Sequence, residues 1–193
     1  MKKLVLLITI LFVSVLTTAC INNLAVQELN NKAKESLQNG DSETAICRLK
    51  SSLDLDSNMY ETHYNLAVAY ISAKKYEQAI ESLKIVLKLN PNFVDAYYSL
   101  GISNEEKAFA VINNETENEK EATKELSTET KKELTPADKQ IICDYITDAI
   151  ENYNTYLSKK TDAQDKEKVN ERIYFLNNEL RKYNISANPI PQE

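Results

Sequence analysis

Tryptophan is absent from this chain, glycine occurs twice and proline four times in 193 residues. Antiparallel sheets reverse direction through turns built on residues that tolerate positive φ. Two glycines are too few for a sandwich or barrel of many short strands. The same scarcity excludes the glycine-rich loops that cradle phosphates and dinucleotides. There is one histidine, His63, and a lone histidine does not make a metal cluster. Nucleophile-elbow and zincin motifs are also absent. Positive charge is in deficit, with 23 Lys and Arg against 29 Asp and Glu, a formal net charge of −6. Such a surface repels phosphate, which argues against nucleic acid and against adhesion to anionic lipid. What is abundant is Lys, Glu, Leu, Ala, Ile and Asn, a helix-forming mixture.

One apolar run stands out, at the N-terminus. Lys2 and Lys3 precede Leu4 to Leu16, then Thr17, Thr18, Ala19 and Cys20. Two positive charges, a short hydrophobic core and small residues at a cut site define a secretory signal. The run falls short of the ~20 apolar residues that span a bilayer. The small residues followed by Cys20 resemble a bacterial lipobox, although Leu16 sits one place early and Thr17 stands where Leu is usual. The resemblance implies a signal over residues 1–19, a diacylglyceryl group on the Cys20 thiol and a tether over 20–25. Ile21, where an Asp would retain the protein at the inner membrane, points by the same resemblance to the outer membrane of an organism that has one. The other reading is an ordinary secretory signal with a coincidental cysteine. Two acyl chains, at ~0.8 kcal/mol per buried CH₂, anchor a protein stably.

Residues 26–59 and 60–93 align without a gap. Ala33 matches Ala67, Ala45 and Ile46 match Ala79 and Ile80, and Leu49, Leu53 and Leu55 match Leu83, Leu87 and Leu89. Small residues at fixed points let helices approach, and the leucines fill the space between them. With His63, Leu66, Ala67, Tyr70, Ala79, Leu83 and Pro91 in the second unit, the sequence resembles the tetratricopeptide repeat family. The first unit is a weaker match, with Gly40 and Asp41 at its turn, Lys32 in place of Leu and Ser57 in place of Pro. A third opens with Tyr97, Leu100 and Gly101, carries Asn104 where Tyr is usual, and resumes far downstream at Ala149, Ile150, Tyr153, Tyr156 and Leu157. The resemblance implies an all-α fold: a short solenoid of about three helix pairs with a C-terminal capping helix.

Residues 26–112 are thus expected to hold the first two repeats and the first helix of the third, and 113–134 a charged insertion. That insertion is nearly all Glu, Lys, Thr and Asn. It offers little apolar surface to offset the entropy of ordering; it reads either as helix ends that fray or as a solvated loop. Thr135, Pro136 and Asp138 suit an N-cap and first turn, opening a helix over 135–159. Val169, Ile173, Leu176, Leu180 and Tyr183 form one apolar stripe of a capping helix over 162–183. A tail is expected over 184–193.

His63 occupies a repeat position held by large packing residues, so a core role is expected. Cys47 and Cys143 belong to the first and third repeats, too far apart for a disulfide. In the family, ligands contact the first helix of each repeat on the concave face. Carried over, the partner-binding candidates are Asn30, Lys34, Tyr64, Val68, Ile71, Tyr98 and Ile102, with Glu105 and Glu106 among the further positions. Tyr64, Val68, Ile71, Tyr98 and Ile102 make an apolar strip, which fits either a peptide groove or helix-on-helix packing. Some family members clamp a C-terminal carboxylate with basic residues in the third repeat. Asp95 and Ser99 stand there, which disfavours that ligand class. The expected function is a membrane-anchored protein-interaction scaffold at the bacterial cell envelope, not an enzyme. Its partners would be a protein or peptide in the groove and the membrane through the lipid. No cofactor, metal, nucleic acid or small-molecule substrate is expected. The alternative is a surface-exposed structural or host-contact lipoprotein that uses the insertion.

Overall fold

The computed structural model describes residues 23–113, 134–160 and 164–187, with side chains described to residue 183. Helices carry nearly all of them, and no strand occurs among the described residues. The first, α1, covers residues 23–38. It is followed by α2 (Ser42–Leu55), α3 (Tyr60–Ser72), α4 (Tyr76–Leu89), α5 (Asp95–Ile112), α6 (Pro136–Lys159) and α7 (Lys166–Ala187). The signal segment, Cys20 and most of the insertion lie outside the described residues.

The first two helix pairs turn on the same backbone device. Gly40 and Lys74, at equivalent repeat positions, have φ of 78° and 59°. In each turn two backbone N–H groups reach back into the preceding helix. Asp41 donates to Ser36 and Gly40 to Leu37, as Lys75 donates to Tyr70 and Lys74 to Ile71. This left-handed cap satisfies carbonyls that the helix end would orphan. Asp41 then caps α2, accepting from the Thr44 N–H at 3.0 Å, while its counterpart Lys75 makes no side-chain cap on α4. At α6 the expected start is present as a complete capping box. Asp138 N–H donates to Thr135 Oγ1, Thr135 N–H donates to the Asp138 carboxylate, and Pro136 occupies the first turn.

Three clusters of apolar side chains run through the stack. The first joins Ala33 of α1, Ala45, Ile46 and Leu49 of α2, Leu66, Ala69 and Tyr70 of α3, and Ala79 of α4. The second joins Ala67 of α3 to Ile80, Leu83 and Val86 of α4 and Ala96 and Leu100 of α5. The third joins Ala108 of α5 to Ile142, Ile146, Ala149, Tyr153 and Tyr156 of α6 and Val169 and Leu176 of α7. Ala33, Ala67 and Ala79 have no exposed surface. Each fully buried Leu or Ile contributes ~1.5–3 kcal/mol. His63 is buried as expected, and its Nε2–H donates to the Ser57 carbonyl at 2.9 Å, tying α3 to the preceding turn.

The third pair outgrows the repeat. Helices α5 and α6 have 18 and 24 residues against 13 and 14 for α3 and α4. Their extensions pack apolar residues, among them Phe109, Val111 and Ile112, against the third cluster, and Phe109 stacks on Phe175 of α7 at 5.9 Å. Helix α7 also departs from its expected bounds: it begins at Lys166 and continues to Ala187. No proline intervenes before Pro189, and it is the residue just before a proline that leaves the helical region, so the helix continues past Tyr183.

Candidate interaction site

Helical geometry divides the candidate residues into two lines. Asn30, Tyr64 and Tyr98 share one repeat position, and Lys34, Val68 and Ile102 share another. Four residues separate each pair along its helix, a little over one turn. The two lines have different surroundings.

The line through Asn30, Tyr64 and Tyr98 is a seam between helices. Asn30 Nδ2 lies 2.9 Å from the Val26 carbonyl, 2.9 Å from Ser52 Oγ and 3.0 Å from Thr62 Oγ1. Its Oδ1 accepts from Asn65 Nδ2 at 2.9 Å. One amide therefore joins α1, α2 and α3. Tyr64 repeats the pattern with a ring: it meets Phe93 edge-on at 4.8 Å, and its hydroxyl accepts from Ser99 Oγ at 3.4 Å. Asn65 and Ser99 are themselves equivalent residues, so the same cross-link recurs one repeat on. Tyr98 lies against Tyr153 at 5.8 Å and Tyr156 at 5.2 Å. All three residues contact neighbouring helices, and each stays half-buried.

The second line differs in exposure only at its first residue. Lys34 is exposed, and Val68 and Ile102 are half-buried. Ile71 is half-buried against the first cluster and Ile102 against the third. At the positions of a carboxylate clamp, Asp95 is paired with Lys160 at 3.0 Å and Ser99 is buried against Tyr64. Both are engaged within the fold.

Glu105 is withdrawn from the surface altogether. It was expected among the groove contacts but is 5% exposed. Its Oε2 accepts from Tyr153 Oη at 2.7 Å and from Arg172 Nε at 2.9 Å. Burial, with the Glu105 carboxylate beside it, pushes the Tyr153 phenol far above its ordinary range, so it stays protonated and donates. This trio, with Glu105 and Tyr153 buried and Arg172 partly exposed, fastens α7 to α5 and α6. A glutamate on a helix reads in sequence as a solvated side chain, and its partner lies 67 residues away, so only the register of three helices reveals it. Among the described residues, no group of three or more His, Cys, Asp or Glu side chains is placed to hold a metal ion.

A family model for the tetratricopeptide repeat matches residues 60–93, which are α3 and α4 with their turns. The α3–α4 pair is thus similar to a tetratricopeptide repeat. Human tetratricopeptide repeat protein 12 is 30% identical over 83 residues, covering 43% of this chain and 12% of its own length. The chain spans only 12% and 14% of the curated relatives it matches. Solved tetratricopeptide domains share the fold across much more of the chain. The first such domain of human RPAP3 superposes with a TM-score of 0.57 at 15% identity, covering 81% of this chain and 95% of that domain. The second domain of the same human protein, in complex with an HSP70 peptide, gives 0.55 at 13% identity over 79% of this chain and 98% of that domain. The described helices thus form a tetratricopeptide-type solenoid with α7 as its cap.

Proposed function

We propose that this chain is a lipid-anchored scaffold at a bacterial cell envelope, which holds a protein or peptide partner along the concave line of Lys34, Val68 and Ile102. It performs no chemistry of its own. The observation that carries this reading is the stack itself, a tetratricopeptide-type solenoid whose first helices repeat one half-open line of side chains. A solved domain of the same fold holds an HSP70 peptide, which supports a peptide as the class of ligand. The engaged state of Asp95 and Ser99 favours an internal peptide segment or a helix over a free C-terminal carboxylate. Anchorage rests on the signal and lipobox resemblance at Cys20. A lipid anchor raises the effective concentration of a partner at the membrane. Among the described residues no helix is long and apolar enough to cross a membrane.

Crosslinking in native membranes followed by mass identification names the partner. Lys34→Glu with Val68→Asp should then abolish its capture while helicity by circular dichroism is retained; undiminished capture would remove the groove from consideration. Tyr64 and Tyr98 are unsuited to this test because they hold the seam. Deleting residues 114–133 should leave capture intact, and its loss would favour a surface role for the insertion. Cys20→Ala should abolish incorporation of labelled fatty acid and release the protein from salt-washed membranes.

A further inference from the structure

Helix α7 is packed on one side only. Val169 and Leu176 are fully buried in the third cluster, and Arg172 and Phe175 reach α5. The opposite face carries Glu167, Asn170, Glu171, Tyr174 and Arg181, all exposed. Tyr174 keeps 72% of its surface open, the most of any large hydrophobic residue described. In α3 the corresponding side is covered, because the chain turns back after 13 residues and α4 packs on Ala67. Helix α7 runs on for 22 residues, so no second helix folds back over its open face within that length. Among the described residues Glu167, Glu171 and Arg181 make no ion pair, and Asn170, Tyr174 and Asn178 no side-chain hydrogen bond.

This face is self-complementary about Tyr174. At about 100° per residue, seven residues return to within about 20° of the starting direction. Glu167 lies seven residues before Tyr174 and Arg181 seven after it. Asn170 lies four before and Asn178 four after. Two α7 helices can lie antiparallel with a two-fold axis at Tyr174. A residue on this line n places before Tyr174 then meets the residue n places after it in the other copy. Glu167 meets Arg181 of the second copy, and the symmetry makes that pair twice. Asn170 meets Asn178, and amides both donate and accept. The two Tyr174 rings meet at the axis, as aromatic pairs favour. Lys166 and Lys182 are each eight places away and point about 80° to opposite sides of the line, so they pass one another. Lys182 is also held by Glu179 at 2.5 Å. Within α7, Glu167 and Glu171 are one turn apart and repel each other. The arginine of a second copy supplies the opposing charge and can fork to a carboxylate.

We propose that two copies of this chain associate through α7, antiparallel about Tyr174, each α7 covering the face that α4 covers on α3. Opposite charges placed equally before and after one exposed ring are what a two-fold contact requires, and an unrelated partner needs no such symmetry. One helix pair buries less than the ~1,200 Å² of a standard stable interface, so the association is weak and favoured where copies are held close together. Lys34 and Val68 lie on α1 and α3, at the other end of the stack, so the pair presents two concave lines.

Tyr174→Cys in the full chain tests the axis, in a Cys47→Ser background that removes an exposed native thiol. Mild oxidation in intact cells, followed by mass identification of the linked peptides, should join residue 174 of one copy to residue 174 of another. Facing Cα atoms of packed helices lie within the ~7 Å that a disulfide spans. Glu167→Cys, which the axis places ~20 Å from its own counterpart, should link at most a tenth as well. Added to Tyr174→Cys, Glu167→Arg should lower the 174–174 yield at least fivefold, and Glu167→Arg with Arg181→Glu should restore it. Both positions are exposed, so circular dichroism should not change. No link at residue 174, an equal yield from Glu167→Cys, a yield indifferent to Glu167→Arg, or failure of the exchanged pair to restore it would each overturn the proposal. A link from residue 174 to a different protein in place of a second copy would do the same.

Discussion

Gly101 and Tyr153 touch so closely that a methyl group does not fit between them. A Cβ on Gly101 would lie 2.4 Å from Tyr153 Cε1 and 2.5 Å from Cδ1. The equivalent residues of the first two repeats, Ala33 and Ala67, keep their methyls in the buried seam. The third repeat gives up the methyl and packs a tyrosine ring in its place, which is why one of the two glycines in the chain lies inside a helix.

Gly101→Ala should therefore destabilise the protein even though alanine is the better helix former. Overpacking of this kind costs ~1–3 kcal/mol, read as a lower denaturation midpoint in urea. In a Tyr153→Leu background the same substitution should cost much less, because contacting residues couple in a double-mutant cycle. Equal costs in the two backgrounds would mean that the close approach does not constrain position 101.

Arg172→Met should loosen the cap. It leaves the buried Glu105 carboxylate with only the Tyr153 hydroxyl as a side-chain donor. Breaking a fully buried pair costs 3–5 kcal/mol, and about 2–3 is expected here because Arg172 keeps 31% of its side chain exposed. Amide exchange should accelerate first in α7. Adding Glu105→Gln to Arg172→Met should recover part of the loss. Uniform acceleration across all helices would argue against a local lock.

Lys74→Gly should raise stability. Lys74 adopts a left-handed backbone that costs an L-residue ~1–2 kcal/mol. Glycine takes it freely but loses ~0.4–1 kcal/mol through the unfolded chain, so the net gain is up to about 1 kcal/mol. Gly40→Ala, at the matching turn, should lower stability. Thermal melts of the two variants should move in opposite directions.

Asp148→Asn should stabilise the protein at neutral pH but not in acid. Burial raises the folded-state pKa of this carboxyl above its ordinary value. The fold therefore favours the protonated form. The penalty is absent below the ordinary pKa and grows as pH rises through the raised one. The side chain is solvent-exposed and its interactions are screened, which keeps the gain below about 1 kcal/mol. Melting temperatures of wild type and variant should differ at pH 7 and converge near pH 3.

Much of the architecture is legible in the chain. Ala33, Ala67 and Ala79, with their leucine partners, announce a periodic buried seam, and all three are fully buried. Thr135, Pro136 and Asp138 announce a helix start, and the capping box is present. These features depend on local geometry, which residue type and spacing encode directly. The candidate groove is less legible. Asn30 and Tyr98 differ from Lys34 and Ile102 by one helical turn, and nothing in spacing says which turn meets a neighbouring helix.

Residue order alone determined the recurrence of helix pairs, their turns at Gly40 and Lys74, and the apolar stripe of the cap, because each follows from contacts within a few turns of chain. Only the assembled helices decided that Glu105 is buried against Arg172 and that Tyr64 and Tyr98 serve the seam. Those outcomes depend on the distance and rotation between helices remote in sequence. A few ångströms there decide whether a polar group meets water, a partner or empty space.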